Sequence, residues 1–326
     1  MPDTTFTPNR LLQNPHVQSI VSSTLPRKLL VERRAREVLQ SSQDMLLDCG
    51  NGVRLLGHYT PAQRSLSRGL VTLLHGWEGC SESNYLLSLA SRLYSAGYAV
   101  FRLNLRDHGP THHLNRELFN STLLDEVLGA MEAIQARLPH KRQFLAGFSL
   151  GGNFALRVGA DAAGRRFEFT RIVAVCPVVS PPHTMDTLHN GPRLYHDYFV
   201  RKWKRSLLKK AQLFPEYPFR EQLGSLSTLR EMNQYFVPRH TEFADPQSYL
   251  QAYAISGDRL ATLKIPAHII TSADDPVVAA EDFALINRPP ALNIEITQFG
   301  GHCGYIQNLK LDSWIDQRII ELLTRE

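Results

Sequence analysis

Hydrophobic positions along this chain come in two textures that alternate. Short and largely apolar runs include "GLVTLLHG" (Gly69–Gly76), "YAVFRLNL" (Tyr98–Leu105), "QFLAGF" (Gln143–Phe148) and "RIVAVCPVV" (Arg171–Val179). Runs of this kind are expected of strands covered on both faces, which have no polar side to show solvent. Between them, apolar residues recur at helical spacing. Leu86, Leu89, Ala90 and Leu93 do so before Gly97, and Leu124, Val127, Leu128, Met131 and Ile134 do so within Ser121–Leu138. Thr122 and Asp125 are placed to form a capping box at the start of that second helix. "NFALRVGADAAG" after Ser149 also reads as helical. Buried strands that alternate with helices predict an α/β fold, a mostly parallel central sheet with helices on both faces.

Ahead of this series, "DMLLDCG" and "VRLLGHY" predict two short strands around the turn at Gly50–Gly52. After Val179 the rhythm breaks. The stretch 180–258 is helical, aromatic and basic, holds scattered prolines and has no buried strand pattern. It is too long for a loop and predicts a helical cap inserted over the sheet. The rhythm resumes with "AHIITSADD" (Ala267–Asp275), a further helix, the strand "NIEITQF" (Asn293–Phe299) and a closing helix through "SWIDQRIIELL". The expected organisation is therefore a first core segment with an N-terminal arm (1–179), a cap (180–258) and a second core segment (259–326).

Composition changes this picture little. With 326 residues, 43% hydrophobic and 21% charged, the profile is that of a globular domain large enough for a sizeable core. No apolar run approaches the ~18 residues of a spanning helix, and the N-terminus has no signal-peptide pattern. Cys49, Cys80, Cys176 and Cys303 form no CxxC pair, which argues against a disulfide framework and fits a reducing cytoplasm. The net charge of +5 concentrates in "PRKLLVERRAR" (Pro26–Arg36) and "RKWKRSLLKK" (Arg201–Lys210). Solvated helix faces account for these runs better than a membrane surface does, and no nucleic-acid-binding motif accompanies them.

The candidate chemistry centres on "FLAGFSLGGNFAL" (Phe144–Leu156), which sets Ser149 between a predicted strand and a predicted helix, flanked by Gly147 and Gly151. That context lifts a serine hydroxyl above the sheet edge and aims the N–H of Leu150 at a developing oxyanion. Serine needs a histidine base held by a carboxylate, arriving later in the chain. "SADDPVV" supplies Asp274 and Asp275 at a strand end, and "QFGGHCGY" supplies His302. One aspartate orients the histidine while the other caps the segment near Ala279. "HGWEG" offers the N–H of Trp77 as the second oxyanion donor. This machinery calls for no cofactor and no metal, although Asp107, His108, His112 and His113 lie close together in sequence. His75 is read as steadying the oxyanion loop. With His108 and His112 it is a candidate to face the substrate.

Together, "NPHVQSI" at Asn14, "LHGWEG" at Leu74, "GFSLGGN" at Gly147, "ADDPVV" at Ala273 and "GGHCGY" at Gly300 resemble the α/β-hydrolase superfamily, and within it the YheT-like, or AB hydrolase-4, branch. That branch includes bacterial hydrolases, yeast ethyl ester synthase/esterases and mammalian acylglycerol hydrolases. The resemblance implies Ser149 as nucleophile, His302 as base and Asp275 as relay carboxylate. It also implies a small-molecule carboxylic ester as substrate, with a short or medium acyl chain. An acyltransferase on the same machinery and a non-catalytic binding protein are the rival readings. The chain departs from the branch in the loop "LRDHGPTHHLN" (Leu105–Asn115), expected to line the pocket, and at Cys303, read as a packing thiol.

Overall fold

The computed structural model describes residues 6–63 and 67–325. Helices α1 (Pro15–Val21), α2 (Leu25–Arg34) and α3 (Arg36–Ser41) precede the sheet. Strands β1 (Gln43–Asp48) and β2 (Arg54–Thr60) pair antiparallel around the Gly50–Gly52 turn, with Leu47 opposite Leu55. There follow β3 (Leu70–Leu74), α4 (Asn84–Ser95), β4 (Ala99–Leu103), α5 (Leu124–Arg137), β5 (Gln143–Phe148), α6 (Leu150–Ala160) and β6 (Arg171–Val175). Between β6 and the next strand lie α7 (Pro181–Asn190), α8 (Arg193–Leu213), α9 (Leu229–His240) and α10 (Pro246–Ala252). The chain closes with β7 (Ala267–Ser272), β8 (Leu292–Thr297) and α11 (Trp314–Thr324).

The eight strands form one sheet in the order β1-β2-β4-β3-β5-β6-β7-β8. Pairing is parallel from β4 through β8, and β1 and β2 join antiparallel at one edge. Every residue of β3, β4 and β5 is buried, as their unbroken apolar runs require. Successive side chains point to opposite faces. Leu70, Leu74, Phe101 and Leu145 therefore enter one core layer with residues of α5 and α6. Val71, Leu73, Val100 and Ala146 enter the other, against Leu86, Leu89 and Leu93 of α4 and Ile319 of α11. Each fully buried leucine contributes about 1.5–3 kcal/mol through the area it removes from water.

After β3 the chain crosses to β4 on one side, then returns to β5 on the other. Open parallel sheets form their ligand crevice at such a reversal, outside the carboxyl ends of the strands. Leu74 pairs with Gly147, so the loops leaving β3 and β5 emerge side by side.

Three expectations need correction. The capping box at Thr122 and Asp125 does not form: α5 starts at Leu124 with no side-chain cap. The Thr122 hydroxyl instead donates to Asn120 Oδ1. The helix expected between β7 and β8 is only a 3₁₀ segment, Ala280–Leu285. Pro289 and Pro290 lie just beyond it, and a residue preceding proline disfavours the helical region. The basic run Arg201–Lys210 is not wholly a solvated face. Lys210 is 1% exposed; its Nζ lies 2.7 Å from Asp107 Oδ1 and also donates to the carbonyls of His112, Asn115 and Glu117.

This ion pair ties α8 to the loop after β4. Breaking a buried pair from one side strands the other charge, at a cost of about 3–5 kcal/mol. Lys210→Met should therefore lower unfolding stability by that amount, and a second change, Asp107→Asn, should recover much of it. Denaturant titration of the single and double variants checks this.

Candidate active site

Ser149 joins β5 to α6 with φ 52° and ψ −119°, a conformation strained for any residue with a Cβ. The two flanking glycines are steric necessities. A Cβ on Gly147 would lie 2.1 Å from the carbonyl oxygen of Gly151, and one on Gly151 would lie 2.5 Å from that of Leu74. Only with both Cβ atoms absent can the turn close this tightly and leave the hydroxyl on top.

His302, in the loop after β8, places Nε2 2.9 Å from Ser149 Oγ. Its Nδ1 lies 2.9 Å from Oδ2 and 3.1 Å from Oδ1 of Asp275. The Asp275 side chain is fully buried, and Oδ1 also accepts from the N–H groups of Val277 and Val278. Neither aspartate caps the 3₁₀ segment Ala280–Leu285, whose N-cap residue Ala279 makes no side-chain cap. Asp274 turns away from the imidazole: Oδ1 accepts from the N–H of Gly301, and Oδ2 is buried without a partner. Burial opposes the imidazolium form of His302, but the Asp275 carboxylate outweighs it and holds the pKa above the ordinary histidine value.

The loop after β3 approaches Ser149 closely enough that a Cβ on Gly76 would meet Ser149 Cβ at 3.2 Å. The N–H of Gly76 donates to Tyr85 Oη at 2.9 Å, and that of Glu78 donates to His108 Nε2 at 3.1 Å. The N–H of Trp77, between them, has no partner among the described residues. Neither has that of Leu150, the first residue of α6, where helical geometry leaves N–H groups unpaired. Two free donors thus flank the serine, as an oxyanion site requires.

His75, His108 and His112 do not line the cavity above Ser149, which corrects their reading as substrate contacts. His75 is fully buried: Nδ1 donates to the Gly76 carbonyl, and Nε2 accepts from the N–H of Leu105 at 3.1 Å. His108 donates from Nδ1 to the Arg106 carbonyl and accepts at Nε2 from Glu78. Burial keeps both neutral, with His108 pushed down to about 4, and each bond to Nε2 needs the neutral ring. These two rings hold the backbone of the loop. His112 faces Ser206 of α8, its Nε2 2.8 Å from the hydroxyl, and burial carries it down to about 3. Asp107, His108 and His112 thus point to separate partners. Among the described residues, one group of three donors does converge: Cys176, His302 and Cys303, beneath the serine. Burial drives the Cys303 thiol far up, away from the thiolate form.

The cavity measures about 730 Å³ out to its open mouth. Trp77, Leu150, Phe199 and Trp203 give it an apolar wall, with Trp77 stacked on Phe199 at 5.1 Å. Phe236, one of the α9 aromatics, is buried and packs against Trp203 with ring centroids 5.7 Å apart. The loop Leu105–Asn115 does not supply the pocket wall that the sequence leads one to expect. Phe119, Asn120 and Ser121 supply it instead, with His108 edge-on to Phe119 at 4.7 Å. No sequence pattern marked those three residues.

The model of the Hydrolase_4 family, described as serine aminopeptidase, S33, matches residues 65–290. That span includes Ser149 and Asp275 but ends before His302. YheT of Escherichia coli (strain K12) is 24% identical over 98% of this chain and 93% of its own. The medium-chain fatty acid ethyl ester synthase/esterase 2 of Saccharomyces cerevisiae is 24% identical over 80% of this chain and 63% of its own. Among solved structures, an esterase of Pyrococcus furiosus superposes with a TM-score of 0.58 at 18% identity, covering 87% of this chain and 90% of that one. That likeness is one of fold. With a family model matched over most of its length, this chain belongs to the serine aminopeptidase S33, Hydrolase_4 family, as a YheT-like α/β-hydrolase.

Proposed function

We propose that the chain is a serine esterase that cleaves carboxylic esters with short or medium apolar acyl chains. The observation that carries this reading is the line of hydrogen bonds from Asp275 through His302 to Ser149, at the floor of an apolar cavity. Ser149 Oγ attacks the ester carbonyl while His302 Nε2 takes its proton. The carbonyl oxygen becomes an oxyanion held by the N–H groups of Trp77 and Leu150. The imidazolium, steadied by Asp275, returns the proton to the departing alkoxide, leaving an acyl-serine and a free alcohol. Water then repeats the sequence, releasing the acid and restoring Ser149.

The family description names an aminopeptidase, and the cavity argues against that reading for this chain. Recognition of a substrate's α-ammonium needs an anionic partner, and no Asp or Glu lines the cavity among the described residues. Apolar residues of α7 and α8, including Pro181, Met185, Leu188 and Trp203, suit an acyl chain. A fluorophosphonate should label the wild-type chain at one serine, and a panel of p-nitrophenyl esters should show a maximum at short or medium length. Absence of label, or preference for an aminoacyl amide, would sink the reading. The yeast relative's name includes a synthase, so ethanol should be added as a competing acceptor; ethyl ester formation would mark a transferase.

Because His302 must be neutral to accept a proton, kcat/KM should rise with pH through a limb above 6.5. The protonated pair with Asp275 stabilises the fold below pH 6.5, and that contribution is lost as pH climbs through the raised value. Activity and this share of stability therefore change in opposite directions. A pH–rate profile with its acid limb below 6.5 would contradict the assignment of His302.

A further inference from the structure

The segment Asn14–Ile20, "NPHVQSI", takes no part in the chemistry above, yet it packs directly on the loop that carries the base. Its residues form α1, started by Pro15 and capped by Asn14 Oδ1, which accepts from the N–H groups of His16 and Val17. Gln18 is fully buried and holds both backbone polar groups of one residue. Its Nε2 donates to the Ile306 carbonyl at 2.9 Å, and its Oε1 accepts from the Ile306 N–H at 2.7 Å. Ser19 Oγ accepts from the N–H of His302 itself at 2.9 Å and donates to the Pro15 carbonyl at 2.7 Å. Contact is at backbone distance: a Cβ on Gly301 would lie 2.5 Å from the Pro15 carbonyl oxygen and 2.7 Å from Ser19 Oγ.

The loop needs such a partner. Gly301, Cys303 and Tyr305 all have left-handed φ, so no regular ladder holds His302 in place. Fixing the His302 N–H fixes the origin of the imidazole whose Nε2 must meet Ser149. We infer that α1 is a working part of the active site, in which Ser19 is a positioning residue for the general base His302. This rests on the esterase reading above. His16 extends the arrangement, with Nδ1 2.9 Å from the hydroxyl of Tyr195 on α8. The helix thus touches both the base loop and α8, whose residues Phe199 and Trp203 line the cavity.

Ser19→Ala removes one oxygen from a half-buried site and leaves the Gln18 clamp in place. Ser22→Ala is the control, because it removes a side-chain hydrogen bond from just beyond the end of α1, to the Ser19 carbonyl, but none to His302. Misplacing a reacting group by about 1 Å costs as much as ~100-fold, and a loosened anchor should cost less. For Ser19→Ala we expect kcat to fall about 10-fold with KM within about twofold, and fluorophosphonate labelling of Ser149 to slow in parallel. Ser22→Ala should leave all three within about twofold. Wild-type kinetics in Ser19→Ala would overturn the inference, as would equal losses in both variants that follow their melting temperatures. A wild-type chain that takes no label would instead sink the esterase reading, and this inference with it.

Discussion

Ser149→Ala is expected to abolish ester hydrolysis, lowering turnover by about 10⁶, or ~8 kcal/mol of transition-state stabilisation. The oxyanion donors remain in the variant, but water must then attack without a covalent intermediate. The fold should tolerate the change. Removing Oγ leaves φ 52° at an alanine much as at the serine, and Oγ makes no contact that holds β5 to α6. Melting behaviour within a few degrees of wild type, with loss of fluorophosphonate label, is the expected pair of results. A folded variant that keeps a tenth of its activity would show that another group attacks the ester.

Asp275→Asn should lower turnover by about 10⁴, because an amide in that place favours the wrong imidazole tautomer and no longer stabilises the imidazolium. Asp274→Asn should lose far less, since its contact is with the Gly301 N–H rather than the ring. It also has a buried oxygen without a partner, and burial pushes its pKa up, so a neutral amide suits the site. Steady-state kinetics on both purified variants decide the matter. A reversed ranking would transfer the orienting role to Asp274.

Much of this arrangement could be read from the order of residues. The buried strands are legible because a strand covered on both faces has no polar alternation, as in Leu70–Leu74. The elbow is legible because its geometry demands glycines at fixed offsets from the serine. What escaped the reading depends on partners distant in sequence. Lys210 looks like one more surface lysine until Asp107, 103 residues earlier, is found beside it. Trp77 could be named as a donor, but not the reason its N–H is free, which lies in the commitments of Gly76 to Tyr85 and of Glu78 to His108. The histidines near residue 108 look like ligands by sequence proximity, and their backbone partners are invisible there. The segment at Asn14 stood out as a pattern, while its contact with Ile306 spans 288 residues.

β6 and β7 are neighbours in the sheet, paired from Ile172 with Ala267 onward, although α7–α10 lie between them in the chain. Evolution can therefore lengthen, shorten or exchange that helical segment without disturbing strand register. Lys210 restricts this freedom. A graft that brings α8 without the Asp107 loop would bury a lone ammonium, and the converse graft would bury a lone carboxylate. A grafted helical segment should therefore keep its stability only where the recipient loop supplies a partner for the charge it brings, so the two segments are constrained to change together.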